Sequence, residues 1–206
     1  ISVPSFDPNL FVNGISQTDY NALLNSPDKP LLDRALRGSY VPGSTIKPFV
    51  AAAGLELGLR KPSDTVMSTG EFFIPGQQRG YRDVRAGGHG RVDLVQSLAQ
   101  SVNTYYYALA LELGIDRFSS YMARFGFGKP TGIDLEGEGS GVLPSKEWKQ
   151  GRFGKPWYPG ETVISGIGQG FLVVTPVQLA SAVATISVGG VAHRPRLLHA
   201  TQQGIG

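Results

Sequence analysis

Apolar residues recur at helical spacing directly after a Pro-Gly turn near position 43. They fall on one face of a helix, at Ile46, Phe49, Val50, Ala53 and Leu57. Ser44 is a favourable residue to cap the first turn, and Pro48 is tolerated inside that turn. Gly58 is suited to end the helix. The pattern therefore predicts a helix from about Ser44 to Gly58.

A second helical pattern runs from about Val92 to Leu113, and Gly114 is predicted to close it. Asp116 is placed to cap a third helix, and Thr175-Pro176 is a typical start for a fourth one. The chain is thus predicted to hold four helices separated by long loops, which are usually functional. The intervening segments are rich in Gly and Pro, which favours turns and short strands: 1–42, 60–91 and 126–174.

The composition of the 206 residues narrows the class of protein. A hydrophobic fraction of 41% and a charged fraction of 17% are typical of a globular chain with a core. The net charge of +3 is small and scattered, so no nucleic-acid partner is predicted. Cysteine is absent, which excludes disulfides and thiolate nucleophiles. No run of apolar residues reaches about 18, the length needed to span a membrane. The start at Ile1, without a Met, predicts a piece of a larger domain.

Ser44 and Lys47 form a Ser-x-x-Lys pattern at the start of the first predicted helix. Side chains three residues apart on a helix are neighbours, with Cβ atoms roughly 5–6 Å apart. A serine hydroxyl needs a base to take its proton before it acts as a nucleophile, and an uncharged Lys47 would be that base. This requires a lysine pKa lowered from about 10.4 to about 7, by burial and the helix dipole.

The Ser-x-x-Lys pattern alone does not distinguish a catalytic pair from a helix cap beside an exposed lysine. The same spacing occurs at Ser26 and Lys29, but this pair lies between prolines without helical periodicity, so it is predicted to be a loop without catalytic function. A second polar segment, Ser101-Val102-Asn103, interrupts the second helical pattern. Because serine and asparagine favour turns, a helix break that exposes both side chains is predicted there, with a polar helix face as the alternative.

The Pro-Gly-Ser-Thr-Ile-Lys-Pro helix start and the Ser-x-Asn segment 57 residues later together resemble the serine D,D-transpeptidase and penicillin-binding protein family. Other segments are similar to class B members, and to the elongation-type transpeptidases of Gram-negative bacteria: 4–9, 81–83, 126–128, 131–135, 147–149, 155–158 and 166–170. The resemblance implies an α+β, serine transpeptidase/β-lactamase-like fold. Mainly the helical portion is expected, with much of the central antiparallel sheet missing, as one partial transpeptidase domain over residues 1–206.

The resemblance also implies a role for each motif residue. Ser44 would be the nucleophile that forms an acyl-enzyme, Lys47 its general base, and Ser101 a proton relay to the leaving amine. Asn103 would bind the substrate amide. The implied substrate is the D-Ala-D-Ala end of a peptidoglycan stem peptide, β-lactams would acylate Ser44 as its mimics, and no cofactor is needed. The resemblance further implies a periplasmic domain of an inner-membrane-anchored protein, with a membrane glycosyltransferase of the elongation machinery as partner.

The third motif of the family, Lys-[Ser/Thr]-Gly, does not occur in these 206 residues. In relatives it supplies a wall of the cleft and lies near an oxyanion-hole donor, and the loss of one such donor costs about 10²–10³ in rate. This chain alone is therefore predicted to be impaired as an enzyme. The alternatives are a serine β-lactamase, a D,D-carboxypeptidase, or a non-catalytic scaffold that retains the helices.

Two further features contain residue types that are found in ligand sites. Some relatives of this class bind zinc through two Asp, one His and one Cys. Asp83 and His89 match two of these ligands, but Ser68 and Val102 stand where the others would be. Two ligands do not make a tetrahedral structural site, so no metal is predicted. The glycine-rich segment 166–170 lacks the lysine of a phosphate-binding loop and is predicted to line the cleft.

Overall fold

A computed structural model describes residues 3–199 of the chain. The helices are α1 Gln17–Asn25, α2 Arg34–Arg37, α3 Lys47–Glu56, α4 Leu94–Ala99, α5 Asn103–Arg124, α6 Lys146–Phe153, α7 Pro159–Ser165 and α8 Pro176–Ser187, with 3-10 helices at Pro8–Phe11 and Gly43–Ile46. The strands are β1 Val66–Ser68, β2 Glu71–Phe73, β3 Gly80–Arg82 and β4 Gly90–Val92. The domain predicted over residues 1–206 includes 1–2 and 200–206, which lie outside the described residues. Within 3–199, no helix has both the length and the apolar character needed to cross a membrane.

The strands form two small antiparallel sheets, β1 with β4 and β2 with β3. Val66 pairs with Val92 in the first sheet, and Phe72 pairs with Tyr81 in the second. Isolated bridges also join Tyr40 to Val174 and Val142 to Val173. The prediction of an α+β fold is confirmed, and the named strands lie in the segment 60–91 that was predicted to hold loops and strands, except that β4 extends one residue beyond it to Val92.

Helix α5 is the centre of the core, and α3 and α7 pack against it. Both contacts need a glycine at the point of closest approach. A Cβ on Gly54 of α3 would lie 2.9 Å from the side chain of Leu109, and one on Gly166 would lie 2.4 Å from Ala110 Cβ. The packed faces are fully buried and include Phe49, Val50, Tyr105, Tyr106, Leu109 and Phe118. The close packing of α3 on α5 brings the start of one helix to the start of the other.

The second predicted helix is two helices in the structure. Val92 belongs to β4, and Asp93 caps α4 through a reciprocal capping box with Gln96, so the predicted start at Val92 was two residues early. The predicted break at Ser101-Val102-Asn103 is confirmed, since α4 ends at Ala99 and α5 begins at Asn103. Gly114 interrupts α5 with φ 69° and ψ 161°, and the helix resumes directly after it. Asp116 is therefore inside the resumed helix and is not its cap.

Four helices, α1, α2, α6 and α7, were not predicted because their segments are polar or rich in Gly and Pro. Helix α6 lacks a strong apolar face, yet Ser145 caps its start and Gly154 ends it in the left-handed conformation. Helix α7 begins at Pro159 and has Glu161 in its first turn. Local capping therefore compensates for weak periodicity. Helix α8 agrees with its prediction, since Thr175 caps it and Pro176 is its first residue.

Candidate active site

Ser44 lies in the 3-10 turn Gly43–Ile46 that leads into α3. The prediction that it caps the helix was wrong, because no side chain caps this turn, and Thr45 Oγ1 donates to Pro42 O at 2.7 Å. The hydroxyl of Ser44 thus does not accept a capping hydrogen bond from the backbone of this helix. In a 3-10 turn, side chains three residues apart are eclipsed, so Ser44 and Lys47 project to the same side. Ser44 is exposed, whereas Lys47 is buried.

Ser101 occupies an unusual backbone conformation between α4 and α5. Its φ of 53° lies in the left-handed region that non-glycine residues seldom adopt. Backbone hydrogen bonds hold the turn, with Ser101 N donating to Leu98 O at 3.2 Å and Val102 N to Ser97 O at 2.9 Å. Such conformations persist only where the surroundings fix them, and they cluster at functional sites. Here the turn directs both the hydroxyl and the carbonyl of Ser101 toward α3.

The four motif residues form one hydrogen-bonded cluster. Ser101 Oγ donates to Ser44 Oγ at 2.9 Å. Lys47 Nζ donates to Ser101 O at 2.7 Å, to Ser101 Oγ at 3.0 Å and to Asn103 Oδ1 at 2.7 Å. Within residues 3–199 no hydrogen bond joins the Ser44 hydroxyl directly to Lys47 Nζ, so the Ser101 hydroxyl connects the two side chains. The structure therefore brings together all four residues that sequence reasoning selected, across 57 positions of the chain.

Burial lowers the pKa of Lys47 to about 8, although the negative charge of Asp83 acts in the opposite direction. Lys47 is only 1% exposed, and its three ammonium protons all bond to neutral oxygens. At pH 7, a pKa of about 8 leaves roughly a tenth of the lysines uncharged, against fewer than about one in a thousand at the ordinary value. The environment thus supplies much of the activation that a lysine base requires.

Asp83 is a buried carboxylate behind the cluster, and sequence reasoning considered it only as a metal ligand. Its Oδ2 accepts from Thr104 N at 2.8 Å and from Thr104 Oγ1 at 2.9 Å, while Oδ1 accepts from Val84 N at 2.7 Å. Burial raises the pKa of this carboxyl, but hydrogen bonds led by those from Thr104 outweigh burial and hold the pKa below its usual value. Asp83 is therefore a fixed negative charge near Lys47. Its sequence signals were its place in the 81–83 segment and its match to a zinc ligand of some relatives, and neither predicted this role.

The residues at the position of the relatives' zinc site do not fit that metal. Ser68 Oγ already has two hydrogen-bond partners, since it accepts from His89 N at 3.2 Å and is hydrogen-bonded to Thr104 Oγ1 at 2.7 Å. Val102 has no donor atom, which leaves one carboxylate and one imidazole, Asp83 and His89, 3.6 Å apart. In the part of the chain that the structure describes, no three His, Cys, Asp or Glu residues come together. A tetrahedral zinc site needs four ligands, so no chemical step is assigned to a metal.

The glycine-rich segment 166–170 packs against the turn that carries Ser44. Gly43 N donates to Gly168 O at 2.9 Å. Gly168 has φ +70°, and a Cβ there would lie 2.1 Å from Gly43 O, so only glycine fits. The segment thus borders Ser44, in agreement with its predicted place beside the site. The exposed Gln169 follows directly, with its amide toward Gly43.

Comparison with known proteins places this arrangement in a family. Residues 1–204 match the family model of the penicillin binding protein transpeptidase domain. The chain is 47% identical over 203 residues to the peptidoglycan D,D-transpeptidase MrdA of Escherichia coli K12, a match that covers 98% of this chain and 32% of the relative. The chain therefore spans about a third of the length of the curated relatives that it matches.

Two solved structures superpose on nearly the whole chain. PBP2 of Pseudomonas aeruginosa in complex with WCK 5153 has a TM-score of 0.93 at 47% identity, with 95% of this chain and 44% of that chain covered. PBP2 of Helicobacter pylori in complex with MreC has a TM-score of 0.92 at 32% identity, with 99% and 38% covered. The fold of residues 3–199 is thus that of a penicillin-binding protein transpeptidase domain.

Proposed function

Because the chain belongs to the penicillin binding protein transpeptidase domain family, we propose that its site performs the acyl-transfer chemistry of a peptidoglycan D,D-transpeptidase. The observation that carries this proposal is the hydrogen-bonded series Ser44–Ser101–Lys47, which ends on a buried lysine of lowered pKa. Such a series supplies a nucleophile, a relay and a base in contact with one another. The proposed substrate is the D-Ala-D-Ala end of a stem peptide.

Acylation would begin from the uncharged form of Lys47. Loss of one ammonium proton reverses the donor direction, so that Ser44 donates to Ser101 and Ser101 donates to Lys47. Ser44 Oγ then bonds to the carbonyl carbon of the penultimate D-Ala while its proton passes through Ser101 Oγ to Lys47 Nζ. The C–N bond to the terminal D-Ala breaks, and the departing nitrogen receives the proton through Ser101.

The second half of the reaction uses the same groups in reverse. An amine of a neighbouring stem attacks the acyl carbon and gives up a proton to Lys47 through Ser101. The C–O bond to Ser44 then breaks as the new amide forms, and Ser44 Oγ recovers the proton by the same path. Asn103 lies at the start of α5, with its carbonyl oxygen bonded to Lys47. Its amide nitrogen is left to bind the substrate amide, as the resemblance implies. β-Lactams would acylate Ser44 by opening their ring amide, whose nitrogen stays tethered to the acyl group.

Intact-mass spectrometry after incubation with a penicillin tests the proposal. The sequence is examined both as the 206-residue chain and as a chimera in which it replaces the matched 203 residues of the E. coli relative. We expect one penicillin adduct, lost in Ser44→Ala and kept in Ser26→Ala, which removes the serine of the other Ser-x-x-Lys pair. Absence of any adduct in both proteins, with circular dichroism showing that they are folded, would refute the proposal.

The fate of the adduct separates the alternative functions. A transpeptidase releases it over hours, because its site favours an amine acceptor over water. A β-lactamase would release it rapidly by hydrolysis, whereas a D,D-carboxypeptidase would hydrolyse a stem peptide without transferring it to an amine. A scaffold would form none. We expect a long-lived adduct and the transfer of a stem peptide to a D-amino acid acceptor.

The cellular setting is proposed from the same family resemblance. We expect the domain to act in the periplasm, as part of an inner-membrane-anchored protein of the cell-wall elongation machinery with a membrane glycosyltransferase as partner. In support, the PBP2 of H. pylori that superposes on this chain is bound to MreC. Co-purification with a peptidoglycan glycosyltransferase from detergent-solubilised membranes would test this partner.

A further inference from the structure

A buried polar cluster lies directly behind Ser101 and Asn103, and it consists of Ser68, Asp83, His89 and Thr104. Pairing of β1 with β4 places Ser68 opposite Gly90, next to His89. Ser68 Oγ accepts from His89 N and is hydrogen-bonded to Thr104 Oγ1, whose single proton is donated to Asp83. Ser68, Asp83 and Thr104 are each less than a tenth exposed.

The cluster forms hydrogen bonds to the residues on either side of the Ser101–Asn103 segment along the chain. After it, Asp83 Oδ2 accepts from the backbone N–H of Thr104, the residue that follows Asn103. Before it, His89 Nδ1 lies 2.9 Å from Oε1 of Gln100, the residue that precedes Ser101. Because that amide oxygen is an acceptor, Nδ1 carries the ring proton in this contact. His89 Nε2 then faces Asp83 Oδ1 at 3.6 Å, buried and without a hydrogen bond within residues 3–199.

The segment between these two anchors needs outside support. Ser101 has φ 53°, a conformation that costs a non-glycine residue on the order of 1–3 kcal/mol. Its carbonyl and hydroxyl must both point at Lys47 for the proposed proton path. Both oxygens of Asp83 accept from backbone N–H groups, of Val84 and Thr104, so an amide in its place would set an NH₂ against one of these donors.

We propose that Asp83 and His89 are positioning residues for the Ser101–Asn103 segment, and that in this chain they act through hydrogen bonds and charge without a bound metal ion. The proposal rests on the proposed acylation of Ser44. Some relatives have four zinc ligands at these positions, whereas this chain has Ser68 and Val102 at two of them. We infer that hydrogen bonds of the cluster hold the Ser101–Asn103 segment in place of a metal ion.

A purely structural role for Asp83 would leave the titration of Lys47 unchanged, whereas a positioning charge would not. The groups that face Lys47 are Ser101, Asn103, the ring of Tyr106 at 5.4 Å from Nζ, and the charge of Asp83. Among them only Asp83 raises the pKa of Lys47. Its replacement is therefore expected to lower this pKa further.

Asp83→Asn is compared with Asp116→Asn, which removes an exposed carboxylate paired with Lys146. Lys47 is followed by NMR of its labelled side chain, and Thr104 by amide hydrogen exchange, so neither readout requires acylation. We expect Asp83→Asn to move the Lys47 titration to lower pH, to speed Thr104 exchange at least tenfold, and to slow penicillin acylation at least tenfold. Asp116→Asn should match the parent in all three. An unchanged Lys47 titration and Thr104 exchange in folded Asp83→Asn would overturn the proposal.

A separate measurement tests whether the cluster acts without a bound metal ion. We expect elemental analysis of the purified chain to find less than about 0.1 zinc per molecule, and dialysis against EDTA to leave the Thr104 exchange rate unchanged. Stoichiometric zinc whose removal speeds that exchange would overturn it. Absence of acylation in both the parent chain and the chimera would instead refute the proposed function, while the NMR readouts would still decide the role of Asp83.

Discussion

Two lysines of this chain are almost fully buried, and they are stabilised in opposite ways. Lys149 is 3% exposed, and its Nζ pairs with the carboxylate of Glu161 and lies 4.4 Å from the centre of the Tyr158 ring. Lys47 is 1% exposed, and its hydrogen bonds all go to neutral oxygens. Lys149 thus has a carboxylate as its counter-charge, whereas the hydrogen-bond acceptors of Lys47 carry no charge and burial lowers the pKa of Lys47 to about 8. A buried lysine thus indicates a base only when its acceptors are uncharged.

The largest effect is expected from removing the amine of Lys47. In Lys47→Met the proposed base is gone, and general-base catalysis contributes about 10²–10⁴ in rate. We expect acylation by a fluorescent penicillin to fall at least about 10³-fold, measured as the rate of gel-band labelling. Lys47→Arg should be equally slow because a guanidinium stays protonated. A Lys47→Met protein that still labels at a tenth of the parent rate would contradict the assigned role.

The same change at Lys149 should affect stability instead. Lys149→Met leaves the carboxylate of Glu161 partly buried without its partner, and breaking a buried pair costs about 3–5 kcal/mol in free energy of unfolding. Urea denaturation followed by circular dichroism measures this loss. Lys149→Met combined with Glu161→Gln should recover most of it, because no uncompensated charge remains. Equal destabilisation in the single and double variants would show that packing, not charge, explains the loss.

Ser101 tests the path between Ser44 and Lys47. Ser101→Ala and Ser101→Gly both remove the relay hydroxyl, so acylation is expected to fall about 10²-fold in each. Only the glycine relieves the left-handed backbone, so Ser101→Gly should unfold with about 1 kcal/mol more free energy than Ser101→Ala. Labelling kinetics and denaturation of the two variants check both statements. Parent-like labelling of either would show that Lys47 reaches Ser44 without the relay.

The smallest effect is a pH dependence of acylation. Because the uncharged form of Lys47 is the proposed base, the rate should rise with pH and reach half of its maximum near the pKa of about 8. The pKa of Lys47 is about 8 in the folded chain and 10.5 at the ordinary value, which is taken for the unfolded chain. Between these pH values Lys47 binds more protons in the unfolded chain, so the free energy of unfolding should rise with pH. Lys47→Met should lack this rise. A rate that is independent of pH from 6 to 9 would exclude a titrating base.

The two Ser-x-x-Lys patterns show what local sequence could predict. Around Ser44 the apolar periodicity of α3 predicted a helix start, and the structure places a 3-10 turn there that aligns Ser44 with Lys47. Around Ser26 no periodicity was present, and Ser26 lies just past the end of α1, where its hydroxyl accepts from Asp28 N at 3.3 Å. Periodicity therefore predicted correctly which of the two pairs lies at the start of a helix. It missed α6 and α7, whose capping residues outweigh their weak apolar patterns.

The sequence by itself determined the features that depend on neighbours along the chain. These are the residue types of the two motifs, the alignment of Ser44 with Lys47 three residues apart, and the helix break at Ser101. Only the tertiary structure decided that the two motifs meet and that Lys47 is buried enough to lower its pKa. It also decided that Asp83 serves as a backbone acceptor behind α5. The physical reason is that desolvation and hydrogen bonds across more than fifty residues exist only once α3 packs on α5.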